Sequence, residues 1–323
     1  MWLLTAGLVL LIVLLSAVSM SAGRVFVPWS AWTSLGQDPR WSIIFELRLP
    51  RTLLAVLIGL ALGGAGAALQ GYVRNPLADP GTLGVSQIAA FAAVMTIYLG
   101  AASAVPWLLS ACAVAGAVVG VVVLLLLAGR SSSATTFVLA GAILTTIGAA
   151  GVALALTLAP SPWAVNEIVN WLMGSLVDRS FEDVRLAAPL IAAGLFLLML
   201  TGPALDALTL GDTGARALGV DMTRTRILIA TGVGLAVGAS VASTGVISFV
   251  GLVTPHLVRP LVGGRPRAVL VPSALAGAAL VLAADIAVRL TPSQTEVHLG
   301  VAMAALGGPF FLWLLLAMRR RMA

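Results

Sequence analysis

Apolar stretches of about 20 residues, the length a helix needs to cross the hydrocarbon core of a bilayer, recur along the whole chain and are separated by segments that hold nearly all of its charge. The pattern predicts ten membrane spans, at residues 2–20, 52–70, 84–104, 107–128, 136–159, 187–205, 227–246, 247–262, 269–288 and 297–317. The eighth is short, carries Pro255 and His256, and follows the seventh almost directly. The first ends in Ser-Ala-Gly like a cleaved leader, but it has no positive n-region and its apolar run is too long for an h-region, so a retained span is expected. Within the spans, Gly59 and Gly63, Gly116 and Gly120, and Gly234 and Gly238 have the four-residue spacing that lets helix backbones approach closely.

Three connections are long enough to carry function. Residues 21–51 are rich in Trp and Pro, and residues 160–186 hold Pro160, Pro162, Trp163, Trp171 and the acidic pair Glu182-Asp183. Residues 206–226 differ, because Gly211, Gly214 and Gly219 punctuate short amphipathic pieces with Leu208, Leu210, Ala215 and Leu218 as apolar points. Two short helices lying on the membrane surface are predicted there.

Composition agrees with a polytopic helical membrane protein. Apolar residues make up 60% of the 323 positions and charged residues 9%, against about 25% charged in soluble proteins. The chain reads as one all-α transmembrane domain over residues 1–323. Eleven of the eighteen arginines fall in one set of connections when the C-terminus is placed in the cytoplasm, so the positive-inside rule favours that orientation. Trp29, Trp32, Trp41, Trp107, Trp163 and Trp171 then fall in or beside the outer connections, where interfacial rings belong. Arg48 and Arg51 also fall outside, on the side the topology rule disfavours, which points to another role.

Several chemistries are excluded or disfavoured. The arginines form no basic stripe interleaved with aromatics, so no nucleic-acid partner is expected. Cys112 is the single cysteine and lies in an apolar run, which rules out an intrachain disulfide. No zinc motif and no glycine-framed nucleophilic serine occurs, so neither catalytic residues nor a metal site is assigned. His256 is expected to satisfy a polar contact and His298 to sit at the outer interface. The chain contains no lysine, so it cannot form a Walker-type ATP site. Ion-coupled carriers place carboxylates deep in their spans. Here the one acidic residue within a span is Asp285, four residues before Arg289, the spacing of a helical ion pair. The energy for any transport is therefore expected to come from a partner.

Five blocks carry a resemblance. Arg48-Leu-Pro-Arg51, Gly71-Tyr-Val-Arg-Asn-Pro-Leu-Ala-Asp-Pro-Gly-Thr-Leu-Gly84, Leu210-Gly-Asp-Thr-Gly-Ala-Arg-Ala-Leu-Gly-Val220, Phe249-Val-Gly-Leu-Val-Thr-Pro-His-Leu-Val-Arg259 and Gly308-Pro-Phe-Phe311 occur in that order. Together they closely resemble the iron-siderophore and cobalamin permease family of ABC importers, from about residue 40 to the C-terminus. The resemblance implies the type II importer permease fold with ten spans, in the bacterial cytoplasmic (inner) membrane. It also implies a second permease subunit, usually in a homodimer, two cytoplasmic ATPase subunits that bind ATP and Mg, and a periplasmic or lipid-anchored substrate-binding protein. This chain would hold no cofactor.

By the same resemblance, residues 206–226 match the coupling helices that dock into the ATPases, with Gly211, Arg216, Gly219 and Arg224 as contact residues. Arg48, Arg51 and Arg289 match outer basic positions that receive acidic residues of the binding protein. Asn75 and Leu77 match positions that narrow the cytoplasmic end of the pathway, and Thr135 lies near a second gate position. One block departs from the family: Glu296-Val-His-Leu-Gly300 has histidine where many relatives have proline. A ferric siderophore is the first expectation for the substrate, with cobalamin or haem as alternatives. A secondary transporter working alone is the reading of another class, and an intramembrane enzyme ranks last.

Overall fold

In a computed structural model, the described residues are 2–322 apart from 24, 26, 35–37, 106, 130–132 and 292–296. The side chains of 29, 31, 315 and 317–322 are also outside the description. Arg24, Arg130, Glu296 and the side chains of Trp29 and Arg319–Arg321 therefore lie outside it. The principal helices are α1 (Trp2–Ser21), α2 (Leu49–Val73), α3 (Val85–Tyr98), α4 (Trp107–Ala128), α5 (Ala134–Thr157), α6 (Pro162–Leu172), α7 (Phe181–Leu200), α8 (Gly202–Ala207), α9 (Gly211–Ala217), α10 (Met222–Thr244), α11 (Val250–Val258), α12 (Pro266–Leu290) and α13 (Leu299–Met322).

Each predicted span has its helix. Among the described residues, seven helices are long and apolar enough to cross a bilayer on length and composition, and α3, Val250–Val262 and Leu299–Leu314 are shorter apolar segments. The third span is shorter than the expected 84–104, because Gly100 adopts φ +68° and ends the helical run. The sixth is displaced toward the N-terminus and runs 181–200. The cause is Glu182-Asp183, which lies in a first helical turn. Ser180 and Asp183 form a reciprocal capping box there, so the acidic pair starts a helix.

Burial sorts the helices. α2, α10 and α12 are enclosed nearly all round, whereas most side chains of α1 are exposed to the surroundings. In a bilayer such exposed leucines face acyl chains and carry no hydrophobic penalty. The inner helices meet through small residues. A Cβ added at Gly59 would collide with the Gly277 and Ala278 backbone, and one at Gly63 with Ser273. The second and third glycine pairs act similarly. Gly116 accepts Ala92, while Gly234 and Gly238 receive Val121 and Ala117 of α4. Backbone approach of this kind replaces hydrophobic burial as the source of packing energy between spans.

The helix ends define two faces. At one face lie the end of α1, the start of α2, the α6–α7 connection, the end of α12 and the start of α13. Ser175 donates to the Thr244 carbonyl at 2.8 Å and Gly300 to the Gly174 carbonyl at 3.2 Å there. At the opposite face lie the turn after α2, the pair α8–α9 and the start of α12, where Arg267 N–H donates to Asp206 Oδ1 at 3.0 Å.

Candidate functional site

The first face carries an arginine cluster around the end of α1. A helix end leaves its last carbonyls without intrahelical donors, and the dipole concentrates negative charge there. Arg48 Nη1 donates to the Met20 and Ser21 carbonyls at 2.9 and 3.0 Å, and its Nη2 to the Val25 carbonyl at 2.6 Å. Arg289 Nη1 donates to the Ser19 carbonyl at 2.9 Å, and its Nη2 donates to Ser19 Oγ, which in turn pairs with Thr52 Oγ1 at 2.7 Å. Two arginines from other helices thus cap α1.

Asp285 holds the rest of the cluster together. Its carboxylate is fully buried, accepts from Arg51 Nη2 at 2.8 Å and forms an ion pair with Arg289 Nη2 at 2.7 Å. The Asp285–Arg289 pair expected from spacing is present, and Arg51 of α2 joins it. Arg48, Arg51 and Arg289 are hence neighbours, as their common assignment requires, but their guanidiniums turn inward. Arg48 is 6% exposed and Arg289 8% exposed. With Gly23, Asp178 and Arg179 they line a cleft of about 250 Å³ that opens on this face. Three guanidiniums against one buried carboxylate leave surplus positive charge at its floor.

Beside it, a wider cleft of about 750 Å³ is lined by Trp163, Asn166, Glu167, Asn170 and His298. Trp163 stands 79% exposed, as expected for an interfacial ring, but Trp171 is partly buried against the core. His298 lies at this face as predicted. His256 is partly buried and stands edge-on to Phe310, at 6.1 Å between ring centroids.

At the opposite face the surface helices are present as α8 and α9, joined by a 3₁₀ turn over Leu208–Leu210. α8 begins at Gly202, earlier than expected, because Pro203 sits well in a first helical turn. Gly219 closes α9. Its φ of +82° lets its N–H reach the Arg216 carbonyl and the Val220 N–H reach the Ala215 carbonyl, at 2.9 and 3.0 Å. Those two bonds make a Schellman cap, which needs the left-handed conformation at that residue. Leu210 and Leu218 are 67% and 64% exposed, and they edge a cleft of about 610 Å³ shared with Pro203, Asp206 and Arg265. Arg216 follows on α9, and Arg224 lies in the first turn of α10, where its N–H and that of Thr223 are capped by Asp221.

The turn from Arg74 to Leu83 joins α2 to α3. Asn75 is exposed, and its side chain accepts from the Leu77 N–H at 2.9 Å, which fixes the turn. Thr135 is exposed in the first turn of α5. The two positions are linked through the stacking of Tyr72 edge-on against Phe137, 5.4 Å apart. Beneath the turn, Gln70 Nε2 donates to the carbonyls of Ala78, Gly251 and Leu252 at 3.3, 3.3 and 3.4 Å, and Arg259 Nη2 donates to Gln70 Oε1 at 2.8 Å. Asp79 caps the 3₁₀ turn Pro80–Leu83 by accepting from Gly81 at 2.8 Å, and burial pushes its carboxyl above the usual range. Gln70 and Ser19 escape a reading of the sequence, since neither belongs to a charge pattern or motif that marks a site, and Asp79 lies in the Gly71–Gly84 block without a role assigned to it. Among the described residues, no group of three or more His, Cys, Asp or Glu side chains could hold a metal ion.

The profile of the FecCD transport family matches residues 8–317. The chain belongs to the FecCD transport family. This FecCD protein is 37% identical over 320 residues to the vitamin B12 import system permease protein BtuC of Salmonella typhimurium, covering 99% of this chain and 96% of that one. BtuC of Salmonella typhi matches to the same extent. A solved structure described as an inward-facing conformation of a metal-chelate type ABC transporter superposes with a TM-score of 0.85 at 30% identity, over 97% of this chain and 98% of that one. The PsaBC structure from Streptococcus pneumoniae, in complex with Fab, shares the fold with a TM-score of 0.53 at 16% identity, over 84% of this chain and 91% of that one. The FecCD chain is thus a multi-pass inner-membrane permease of an ABC importer with the type II permease fold.

Proposed function

We propose that the chain translocates a large metal chelate, by alternating access, between two permease subunits driven by separate ATPases. The observation that carries this reading is the likeness over the whole chain to vitamin B12 import permeases and to a metal-chelate transporter. A chain without lysine cannot form its own Walker-type site, which supports ATP hydrolysis on partners. The C-terminus and the α8–α9 face lie in the cytoplasm by the arginine count. There the coupling segment, about 206–226, meets the ATPases through Gly211, Arg216, Gly219 and Arg224, and the exposed Leu210 and Leu218 offer apolar anchors beside them.

On the outer face the positive floor formed by Arg48, Arg51 and Arg289 receives an acidic residue of the binding protein. Asn75, Leu77 and Thr135 form the cytoplasmic gate. The substrate passes without a bond being broken. A corrinoid is the first substrate to test, given the BtuC relatives, and a ferric siderophore is the second.

The test is uptake into proteoliposomes holding the permease, its ATPases and its binding protein. Labelled cyanocobalamin and a ferric hydroxamate are supplied in parallel. Accumulation of one of them supports the metal-chelate reading and names the class. Accumulation of neither, with a small oxyanion carried instead, would overturn it.

A further inference from the structure

We propose that Asp212 and Arg74 are positioning residues that carry movement of the ATPase-facing segment into the gate turn at Asn75 and Leu77. The inference rests on the proposed docking of ATPases at residues 206–226.

Asp212 lies in the first turn of α9, and its Oδ1 accepts from Arg74 Nη2 at 2.7 Å. The ion pair spans 138 positions of sequence and joins α9 to the residue that ends α2. Arg74 is exposed and Asp212 partly so, at 42% and 30%. Exposed pairs add little to stability, so the contact is poorly explained as a device for holding the fold.

Its placement suits transmission. Arg74 ends α2 in the left-handed region, with φ 52° and ψ 35°, a conformation that disfavours a side chain. Contacts on both sides therefore hold it there. On one side is Asp212, and on the other the Arg74 N–H bonds to the Gln70 carbonyl. Asn75 N–H also reaches the Gln70 carbonyl at 3.2 Å, and Asn75 then caps Leu77. Gln70 anchors the far end of the turn at Ala78 and the start of α11 at Gly251 and Leu252. A pull on the Arg74 guanidinium thus enters a turn with little slack, and the gate residues are the next ones along the chain.

Neutralising Asp212 would leave Arg74 without its ion-pair partner.

The test needs no transported substrate. Spin labels at Leu77→Cys and Thr135→Cys, in a variant with Cys112→Ala, report the gate distance in complexes reconstituted with the ATPases. Addition of a non-hydrolysable ATP analogue should shift that distance. In Asp212→Asn and in Arg74→Gln the shifted fraction should fall about two- to fivefold, while the ATPases still copurify and hydrolyse ATP. The exchanged pair Asp212→Arg with Arg74→Asp should restore the shift in part. An unchanged response in the single variants would overturn the proposal. So would a loss that the exchange does not restore, which would assign the effect to local structure, or loss of the ATPases from Asp212→Asn, which would make Asp212 a docking residue. A separate arm places a photo-cross-linker at Thr209. If it fails to capture an ATPase subunit from the unaltered complex, the docking reading itself is wrong, whatever the gate does.

Discussion

Replacing Asp285 by alanine tests the arginine cluster. The carboxylate is fully buried and joins Arg51 and Arg289 at 2.8 and 2.7 Å. Its removal leaves two cations side by side, one nearly buried and one partly so, without their shared counter-ion. Breaking a buried pair from one side costs about 3–5 kcal/mol. Arg289 keeps its contacts to Ser19, and Arg51 retains some access to water, which argues for the lower part of that range. With an unfolding entropy of about 0.7 kcal/mol per kelvin for a chain of this size, the change amounts to a fall in Tm of about 4–5 °C, measured by thermal unfolding in nanodiscs. Asp285→Asn combined with Arg51→Met removes the like-charge clash and should recover part of the loss. A fall equivalent to less than about 1 kcal/mol, the value for an exposed pair, would refute the claim that the triad anchors α1. The same geometry warns against reading Arg48→Glu as a pure docking variant. Arg48 caps the α1 carbonyls, so its reversal should lower expression as well as capture of the binding protein.

Gly277→Leu would force α12 away from α2, since even a Cβ there meets the Gly59 carbonyl. It should abolish the folded protein, seen as loss of the monodisperse peak in size-exclusion chromatography, whereas Gly308→Ala, with open space around it, should be tolerated. Gly219→Pro cannot adopt φ +82° and removes the N–H of the Schellman cap. ATP hydrolysis should continue while transport per ATP falls, as read from parallel phosphate release and uptake. Asp79→Ala removes a cap on the turn after α2 and should cost about 1 kcal/mol in thermal unfolding.

Much of the bundle was legible because membrane spans are written in local composition. The spans at 2–20 and 107–128 needed only their apolar runs, and the glycine pairs already marked the close contacts of α2, α4 and α10. Boundaries were less visible where a cap decides them. Glu182-Asp183 looked like a polar connection, yet the capping box with Ser180 makes it a helix start. The arginine cluster was half legible. The (i, i+4) spacing predicted Asp285 with Arg289, but Arg51 lies 234 positions from Asp285, a separation no local pattern encodes. The inward turn of Arg48 was hidden for the same reason, because its acceptors are carbonyls at the end of a different helix. Gln70 has no signature at all: its role is to fill carbonyls that only the folded turn brings within reach.

The central claim is that this permease moves substrate only with its partners. The most direct measurement compares ATP-dependent accumulation in proteoliposomes with the complete assembly, and then with the ATPases or the binding protein omitted in turn. Accumulation should require both partners and ATP, and should be indifferent to an imposed proton or sodium gradient. Accumulation by this chain alone, driven by such a gradient, would contradict the account.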